Sequence, residues 1–297
     1  MEKEEKWISK WEEGWILYEK DVERKVLSIT LNRPETLNAL TQAMYEKLNE
    51  TFRGVDEDED IKVVRIKGAG RAFCSGFDVA ELGFIHGQSA SGKGRRPSQR
   101  ARLFMDMNHD WGHSGVYNTI YRCKKVTIAQ VHGYCYGGGH EIAAACDMTV
   151  AAEGTLFTHP GYRYIGPTTW IGYMIELMGV KRVKEMMFTG IPLDAQEAYR
   201  VGLVNKVVPL DKLEEETNKL IETVLRLPFD GIVIGKAHFE AALDALGVGT
   251  SNTLAGILHT LQTNIRYEPD EFNLFRERRD KGIKGAITAR EAHYNEV

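Results

Sequence analysis

The alternation of apolar and polar positions in the first two thirds of the chain predicts strands that alternate with helices. Residues 16–20 and 25–31 are rich in β-branched and aromatic residues and flank a charged turn. Residues 63–68, 126–132 and 148–152 are short apolar runs, each followed by a turn and a helical pattern. This alternation predicts an α/β architecture.

Two segments between these strands have the spacing of amphipathic helices. Apolar residues recur at helical intervals over residues 41–55, through Met44 and Leu48, and Thr41 is the predicted N-cap. Residues 102–122 are predicted to form a single helix whose apolar side chains fill the core or line a pocket.

The pattern changes after Pro209, where long amphipathic helical stretches replace the strands. They cover residues 211–227, 235–246 and 252–266. A helical C-terminal third of this kind commonly caps a domain or joins subunits. We therefore divide the chain into an N-terminal extension, a core and a C-terminal helical region, at residues 1–15, 16–210 and 211–297.

The composition of the 297 residues, with 43% hydrophobic and 27% charged, is typical of a globular protein. The net charge of −4 argues against a general nucleic-acid binder, which needs a basic surface. No signal-like segment and no run of about 18 apolar residues is present, so we expect neither export nor a membrane span. The four cysteines lack CxxC or zinc spacing, and we expect buried, reduced thiols in a cytoplasmic protein.

Two glycine-containing segments carry the candidate chemistry. In RAFCSGFDV (residues 71–79), the glycine lets the chain bend so that the next backbone N–H points outward. In HGYCYGGGHE (residues 132–141), three glycines precede a helix whose first N–H groups have no intrahelical partner. Two backbone donors that converge on one carbonyl oxygen form an oxyanion hole.

Two glycine-containing segments resemble known nucleotide-binding and hydrolase motifs but do not match them. Residues 68–73 begin like the dinucleotide-binding pattern GxGxxG but have Phe73 at the third glycine. Residues 73–77 do not match the GxSxG nucleophile elbow of hydrolases. The sequence therefore favours neither a dinucleotide site nor a serine nucleophile.

Taken together, the motifs resemble the crotonase superfamily (the enoyl-CoA hydratase/isomerase family), over roughly residues 16–275. The motifs are NRP at 32–34 with LNAL at 37–40, RAFCSGFD at 71–78, residues 133–147, AQEA at 195–198 and GLVN at 202–205. The resemblance implies a spiral of ββα units with a C-terminal helical trimerisation region. It also implies an acyl-CoA substrate, homotrimers or dimers of trimers, and no metal or cofactor besides the CoA of the substrate.

The resemblance also implies roles for individual residues. The backbone N–H groups of Phe77 and Gly138 would hold the thioester oxygen, which makes both residues catalytic and substrate-binding. The backbone near Ala39 would face the adenine of CoA, and Asp78 is carried over with the first motif as a substrate-binding residue. The basic segment at 272–284 of a neighbouring subunit would reach the CoA phosphates.

The acid–base residues follow the family only in part. Glu141 matches the first of two glutamates with which family hydratases position water and shuttle the proton. The second is expected after Pro160, where this chain has Gly161. The nearby replacements are His159, Tyr162, Arg163 and Tyr164. Glu141 therefore acts either alone as a general base or with a histidine or tyrosine, of which His159 and Tyr162 are the candidates, in the second catalytic role.

The reaction stays open at this stage. The resemblance favours hydration of an unsaturated acyl-CoA, with branched and cyclic acyl groups among the candidates, through a thioester enolate. His140 after three glycines resembles the naphthoate synthase and oxocyclic-acyl-CoA hydrolase branches, and the single glutamate resembles the acyl-CoA decarboxylase branch. C–C hydrolysis, decarboxylation and isomerisation are the alternatives, and a non-catalytic CoA- or RNA-binding relative is a rival of another class.

Two further segments have compositions that suggest a loop over the site and a metal site. Residues 83–98 have the composition of a mobile loop, which is either a lid, a contact for CoA phosphates or a solvated surface loop. Within residues 102–122, four potential metal ligands recur at helical spacing: Asp106, His109, Asp110 and His113. Two glycines weaken this helix and no third set of ligands is evident, so we predict no metal site.

Overall fold

The computed structural model describes residues 14–81, 98–105, 115–163, 170–262 and 265–295. Three of the predictions fall almost wholly or wholly outside these ranges. They are the N-terminal extension, the loop at 83–98 and the candidate metal ligands Asp106, His109, Asp110 and His113.

The strands and helices follow one another in the alternating order that the apolar pattern predicts. The strands are β1 (Ile16–Asp21), β2 (Val26–Leu31), β3 (Val63–Gly68), β4 (Val126–Val131), β5 (Tyr134–Tyr136), β6 (Met148–Ala152), β7 (Leu156–Thr158), β8 (Leu193–Asp194) and β9 (Lys206–Val208). The helices are α1 (Gln42–Asp56), α2 (Gln99–Met105), α3 (Val116–Arg122), α4 (Gly138–Ala145), α5 (Ile171–Met178), α6 (Val180–Thr189), α7 (Ala195–Arg200), α8 (Leu213–Leu225), α9 (Phe229–Ala245), α10 (Val248–Gln262) and α11 (Leu274–Asn295).

A six-stranded sheet and a three-stranded sheet make up the core. The larger sheet has the order β1-β2-β3-β4-β6-β9 and is parallel except for the β1–β2 hairpin. The smaller sheet has the order β5-β7-β8. Two consecutive segments, β4-β5-α4 and β6-β7-α5, each place one strand in each sheet before a helix. This repeat confirms the predicted spiral of ββα units.

Local signals decide where α1 begins. The Thr41 side chain accepts a hydrogen bond from the Met44 N–H, which satisfies one of the free donors of the first turn and confirms the predicted N-cap. The buried face of α1 includes Leu48 and Phe52, as the helical spacing predicts.

The prediction of a single helix over residues 102–122 is wrong. Helix α2 ends at Met105, and α3 begins at Val116 after Gly115, whose backbone is extended (φ −75°, ψ 161°). Extended backbone cannot continue a helix, so the apolar periodicity spans two separate helices.

Both faces of the large sheet are covered. The residues Val26, Val63 and Val126 are aligned partners on three neighbouring strands. They pack with Ile221 and Val224 of α8. A fully buried valine contributes roughly 1.5–3 kcal/mol relative to an exposed one, so this row fixes α8 on the outer face of the sheet. The predicted division at residue 210 lies between β9 and α8. It stays a prediction.

Ion pairs and apolar contacts join the C-terminal helices to the core. Arg122 of α3 pairs with Glu240 and Asp244 of α9, and Lys236 of α9 pairs with Asp147, which directly precedes β6. Helix α11 bends at Gly282, which has φ 70°. Within the described ranges, no helix is long and apolar enough to cross a membrane.

Candidate active site

The two glycine-containing segments meet in space. Gly76 has φ +101°, a conformation that favours glycine, and it lies directly against the turn that precedes α4. A methyl group on Gly76 would lie 3.0 Å from the Tyr136 carbonyl oxygen and 3.5 Å from the Gly138 nitrogen. Only a glycine lets the first turn approach the second this closely.

Each turn presents a backbone N–H at this meeting point. The backbone of Leu40 forms hydrogen bonds with the residues on either side of Phe77. Its N–H donates to the Gly76 carbonyl (2.8 Å), and its carbonyl accepts from the Asp78 N–H (2.8 Å). Within the part of the chain that the structure describes, the N–H of Phe77 itself donates to no backbone carbonyl.

Helix α4 supplies the second N–H group. It begins at Gly138, and its first intrahelical bond runs from the Glu141 N–H to the Gly137 carbonyl at 3.0 Å. Among the described residues, the Gly138 N–H therefore has no intrahelical acceptor, and the positive end of the helix dipole lies at the same place. The structure thus brings the two predicted donors, Phe77 and Gly138, to one locus.

Glu141 lies one turn into α4, and the residue is 3% exposed. The Gly137 N–H donates to the Thr158 carbonyl (2.9 Å), which holds the next residue, His159, beside α4. As a result, His159 Nε2 lies 3.7 Å from Glu141 Oε1. Of the two candidates for the second catalytic role, the structure brings His159 to the carboxylate.

Tyr162 occupies a different environment. It belongs to a short 3-10 helix (Gly161–Arg163), and its ring packs against Phe188 with the centroids 5.3 Å apart. The side chain is 42% exposed. The structure therefore places Tyr162 in a surface aromatic pair, while Gly161 contributes no side chain beside the glutamate.

His140 is fully buried, and neither ring nitrogen has a hydrogen-bond partner in the described structure. Burial, with a smaller contribution from His159, lowers the pKa of His140 to about 3. Its ring packs edge-on against Phe157. His140 is therefore a neutral, buried imidazole at neutral pH.

Two tyrosines that the sequence analysis did not single out lie next to Glu141. The hydroxyl groups of Tyr45 and Tyr117 are 2.5 Å apart, and Tyr117 is also hydrogen-bonded to the Glu141 carboxylate. Burial raises the pKa of both phenols well above the usual value, and the charge of Glu141 adds to this effect. Both phenols are therefore protonated at neutral pH. The only signal in the sequence is a hydroxyl-bearing residue on the apolar face of each helix.

The two remaining residues assigned to substrate binding, Ala39 and Asp78, are linked through Arg33. Its Nη1 donates to the Ala39 carbonyl at 2.7 Å and to Asp78 Oδ2 at 3.0 Å. Its guanidinium lies 4.7 Å from the ring centroid of Trp15. The Asp78 carboxylate is thus engaged in holding the turn, and the Ala39 carbonyl keeps one lone pair for a further donor.

Asn38 joins the same loop to the first glycine segment. Its Nδ2 donates to the Ala69 and Ala72 carbonyls, each at 2.8 Å, and its Oδ1 accepts from the Arg33 N–H at 2.8 Å. The residue is fully buried, with φ 57°. These bonds fix residues 33–40 against residues 69–73.

Helix α11 approaches the site from the same chain. Arg278 donates through Nη1 to the Val79 carbonyl at 3.0 Å, two residues after Phe77. Near the other end of α11, the Tyr294 ring lies under the Arg163 guanidinium at 5.2 Å. The basic segment that the resemblance assigns to a neighbouring subunit therefore contacts its own chain, and its reach to CoA phosphates stays a prediction.

Comparisons with known proteins identify the family of this chain. The family model for enoyl-CoA hydratase/isomerase matches residues 21–285. A Mycobacterium tuberculosis protein named as an enoyl-CoA hydratase, EchA13, is 30% identical over 242 residues, which are 78% of this chain and 76% of the relative. A Dictyostelium discoideum protein named as a mitochondrial enoyl-CoA hydratase is 29% identical over 248 residues, or 82% and 78% of the two chains.

A solved structure gives the same result for the fold. The enoyl-CoA hydratase/isomerase from Xanthobacter autotrophicus Py2 is 30% identical and superposes with a TM-score of 0.76, covering 94% of this chain and 98% of that one. The fold and the two converging turns define an α/β protein of the crotonase type. This chain belongs to the enoyl-CoA hydratase/isomerase family.

Proposed function

We propose that this chain is an acyl-CoA lyase that hydrates an unsaturated acyl-CoA, with branched and cyclic acyl groups among the candidate substrates. The observation that carries the proposal is the contact between the Gly76 turn and the start of α4, with Glu141 one turn further on. In the proposed complex, the N–H groups of Phe77 and Gly138 bind the thioester oxygen. They bind it more strongly when it becomes the enolate oxygen, which is the differential binding that lowers a barrier.

The proposed proton transfers use Glu141 first. The carboxylate accepts a proton from water while the hydroxyl adds to Cβ, and the enolate that forms then takes a proton at Cα. His159, whose Nε2 lies 3.7 Å from Glu141, is the proposed partner in place of the second family glutamate. Gly161 supports this assignment because it offers no carboxylate of its own.

The direct test is hydration of a 2-enoyl-CoA, followed through the loss of absorbance of the conjugated thioester. We expect turnover by the wild type and a loss of about 100-fold or more in Glu141→Gln, because the amide cannot accept the proton. Glu153→Gln, an exposed position in the turn after β6, is the matched control. Equal rates for the two variants would refute the role of Glu141.

Isomerisation is the second candidate, and Gly161 is the observation that favours it. A single carboxylate can move a proton between Cγ and Cα of a 3-enoyl-CoA without adding water, so the missing second glutamate is no obstacle. The wild type is offered 2-enoyl-, 3-enoyl- and malonyl-type CoA thioesters in parallel. Faster conversion of the 3-enoyl thioester favours the isomerase, and turnover of only the malonyl type favours decarboxylation. Binding of CoA without turnover of any thioester favours a non-catalytic relative.

We also propose that the chain acts as a homotrimer or a dimer of trimers joined through α9 and α10. Large apolar side chains there are exposed in the single chain: Ile234 (70%), Phe239 (72%), Leu246 (65%), Leu254 (50%) and Leu261 (55%). An apolar surface of this extent is typical of an interface, and the family resemblance supports a second copy as its occupant. Light scattering after size exclusion tests this. Phe239→Glu is expected to yield monomers, with Leu210→Glu, an exposed position elsewhere, as control.

The proposal includes a cytoplasmic site of action and no cofactor besides the CoA of the substrate. Two backbone donors, a carboxylate and an imidazole supply the polarisation and the proton transfers without a metal or a redox group. Dialysis against a chelator is expected to leave the rate unchanged. A rate restored only by an added divalent ion would contradict this part of the proposal.

A further inference from the structure

The tyrosine pair beside Glu141 connects the parts of the candidate site with one another. Tyr45 is on α1 and Tyr117 is on α3, and their hydroxyl oxygens are 2.5 Å apart. The Tyr45 ring stacks on the Phe77 ring, with centroids 5.5 Å apart and planes 27° apart. A side chain at Gly138 would overlap the Tyr45 hydroxyl and lie 2.9 Å from the Tyr117 hydroxyl. The pair therefore touches both residues whose N–H groups face the site.

The directions of the hydrogen bonds follow from the number of protons. An ionised carboxylate only accepts, so the Tyr117 hydroxyl donates its single proton to Glu141. Tyr117 then has no proton left for its neighbour, and Tyr45 donates to the Tyr117 oxygen. The result is a one-way chain from Tyr45 through Tyr117 to Glu141.

We propose that Tyr117 is a positioning residue that holds the Glu141 carboxylate in its proton-accepting orientation, and that Tyr45 locks Tyr117 in this role. This inference rests on the proposed function of Glu141. A hydrogen bond to a charged group in a dry site is stronger than one in water, so two neutral hydroxyls stabilise the carboxylate without adding a second charge. They support the carboxylate in a site where Gly161 leaves no second glutamate.

Other titratable groups also surround the carboxylate and the phenols. His159 approaches Glu141 from the segment after β7, His140 precedes it on α4, and the Cys74 thiol lies near Tyr45. Burial raises the pKa of Cys74 to about 12, and burial lowers that of His140 to about 3, so neither changes charge near neutral pH. His159 is present in every variant below, so differences between them report on the phenols.

The test compares Tyr117→Phe and Tyr45→Phe with Tyr121→Phe. Each change removes one hydroxyl and keeps the ring. Tyr121 is the matched control, because it is buried on the same helix and its hydroxyl has no hydrogen-bond partner in the described structure. We expect Tyr117→Phe to lower kcat about 10- to 100-fold with little change in KM. The acid limb of the kcat–pH profile of this variant should move to higher pH, because a carboxylate that loses a donated hydrogen bond binds its proton more tightly. Tyr45→Phe should shift the profile in the same direction by less.

A purely structural role predicts something else. Tyr117→Phe would then lower the melting temperature and leave the pH profile at that of Tyr121→Phe, and this outcome overturns the inference. A titration by ¹³C NMR of carboxyl-labelled glutamate, with Glu141→Gln to identify the resonance, gives a readout that needs no substrate. A shifted Glu141 titration in Tyr117→Phe supports the inference even if the wild type hydrates no thioester, and an unshifted one overturns it.

Discussion

The Nε2 atom of His159 lies 3.7 Å from Oε1 of Glu141, which is longer than a hydrogen bond and within the range of an ion pair. His159 Nδ1 has no hydrogen-bond partner in the described structure. The imidazole is therefore held beside the carboxylate by packing, within one atom layer of Glu141 Oε1 and without a direct hydrogen bond to it.

This relationship separates the two residues that the sequence offered for the second catalytic role. We expect His159→Gln to lower kcat about 100-fold with little change in KM, because an amide cannot exchange a proton. Tyr162→Phe should retain the wild-type kcat, because the Tyr162 ring packs against Phe188. Steady-state kinetics on the best thioester decides, and the reverse order of the two effects would make Tyr162 the catalytic residue.

The start of α4 tolerates no side chain at position 138. In Gly138→Ala, the new methyl group overlaps the Tyr45 hydroxyl, so either the helix start or the phenol pair must move. We expect a lower melting temperature and a kcat reduced about 100-fold, because one donor of the oxyanion hole is displaced. Gly231→Ala on α9 is the control, since its methyl group would meet only Pro228 at 3.8 Å. An active, stable Gly138→Ala would contradict the close packing described above.

His140 should make the protein sensitive to acid. Burial lowers the pKa of His140 to about 3, whereas an unfolded chain binds this proton near pH 6.5. As the pH falls below about 6.5, the unfolded state gains a proton that the folded state does not take up, and the free energy of unfolding decreases. At pH 5 the decrease is about 2 kcal/mol.

Urea unfolding at pH 7.5 and pH 5 measures this decrease. His140→Leu is expected to lose less stability between the two pH values than the wild type, by about 2 kcal/mol. The exposed residue His293 of α11, outside the proposed interface, serves as control, and His293→Leu should keep the wild-type difference. Equal pH dependence in His140→Leu and the wild type would show that His140 does not stay neutral in the fold.

Asn38 holds the loop at residues 33–40 against the first glycine segment. In Asn38→Ala, the buried carbonyl of Ala72 and the partly buried carbonyl of Ala69 lose their donor, and alanine must adopt φ 57°. We expect a loss of about 3 kcal/mol or more in the free energy of unfolding. We also expect a higher KM for the thioester, because residues 33–40 no longer hold the first glycine segment. Chemical unfolding gives the change in the free energy of unfolding. Steady-state kinetics, measured well below the melting temperature of the variant, gives KM. A change in stability without a change in KM would separate this loop from substrate binding.

The features that were predictable from sequence are those that depend on local pattern. Thr41 lies immediately before the periodic residues of α1, and capping needs only the nearest backbone groups, so the start of this helix was predicted correctly. The glycine segments were recognisable because a bend after Gly76 and a free helix start each require a particular local backbone.

The contacts that arise from tertiary packing were not predictable in this way. Tyr45 and Tyr117 belong to different helices separated by a strand, and nothing near either residue indicates the other. The same limit applies to His159 and Tyr162, which are three positions apart in the sequence. His159 directly follows the end of β7 at Thr158, whereas Tyr162 belongs to the next 3-10 helix, so the two side chains lie in different surroundings. Periodicity also failed to separate α2 from α3, because apolar residues recur in both helices, and among the described residues the extended Gly115 marks where α3 begins.

The two N–H groups at the site come from successive turns of the spiral, and this has a consequence for folding. Phe77 and Gly138 are brought together only when the parallel strands β3 and β4 have paired, and such non-local pairing is slow to form. We therefore expect refolding chains to acquire helical circular dichroism before they acquire turnover. A chain that stalls with one turn of the spiral unstacked would carry every residue of the site and still be inactive.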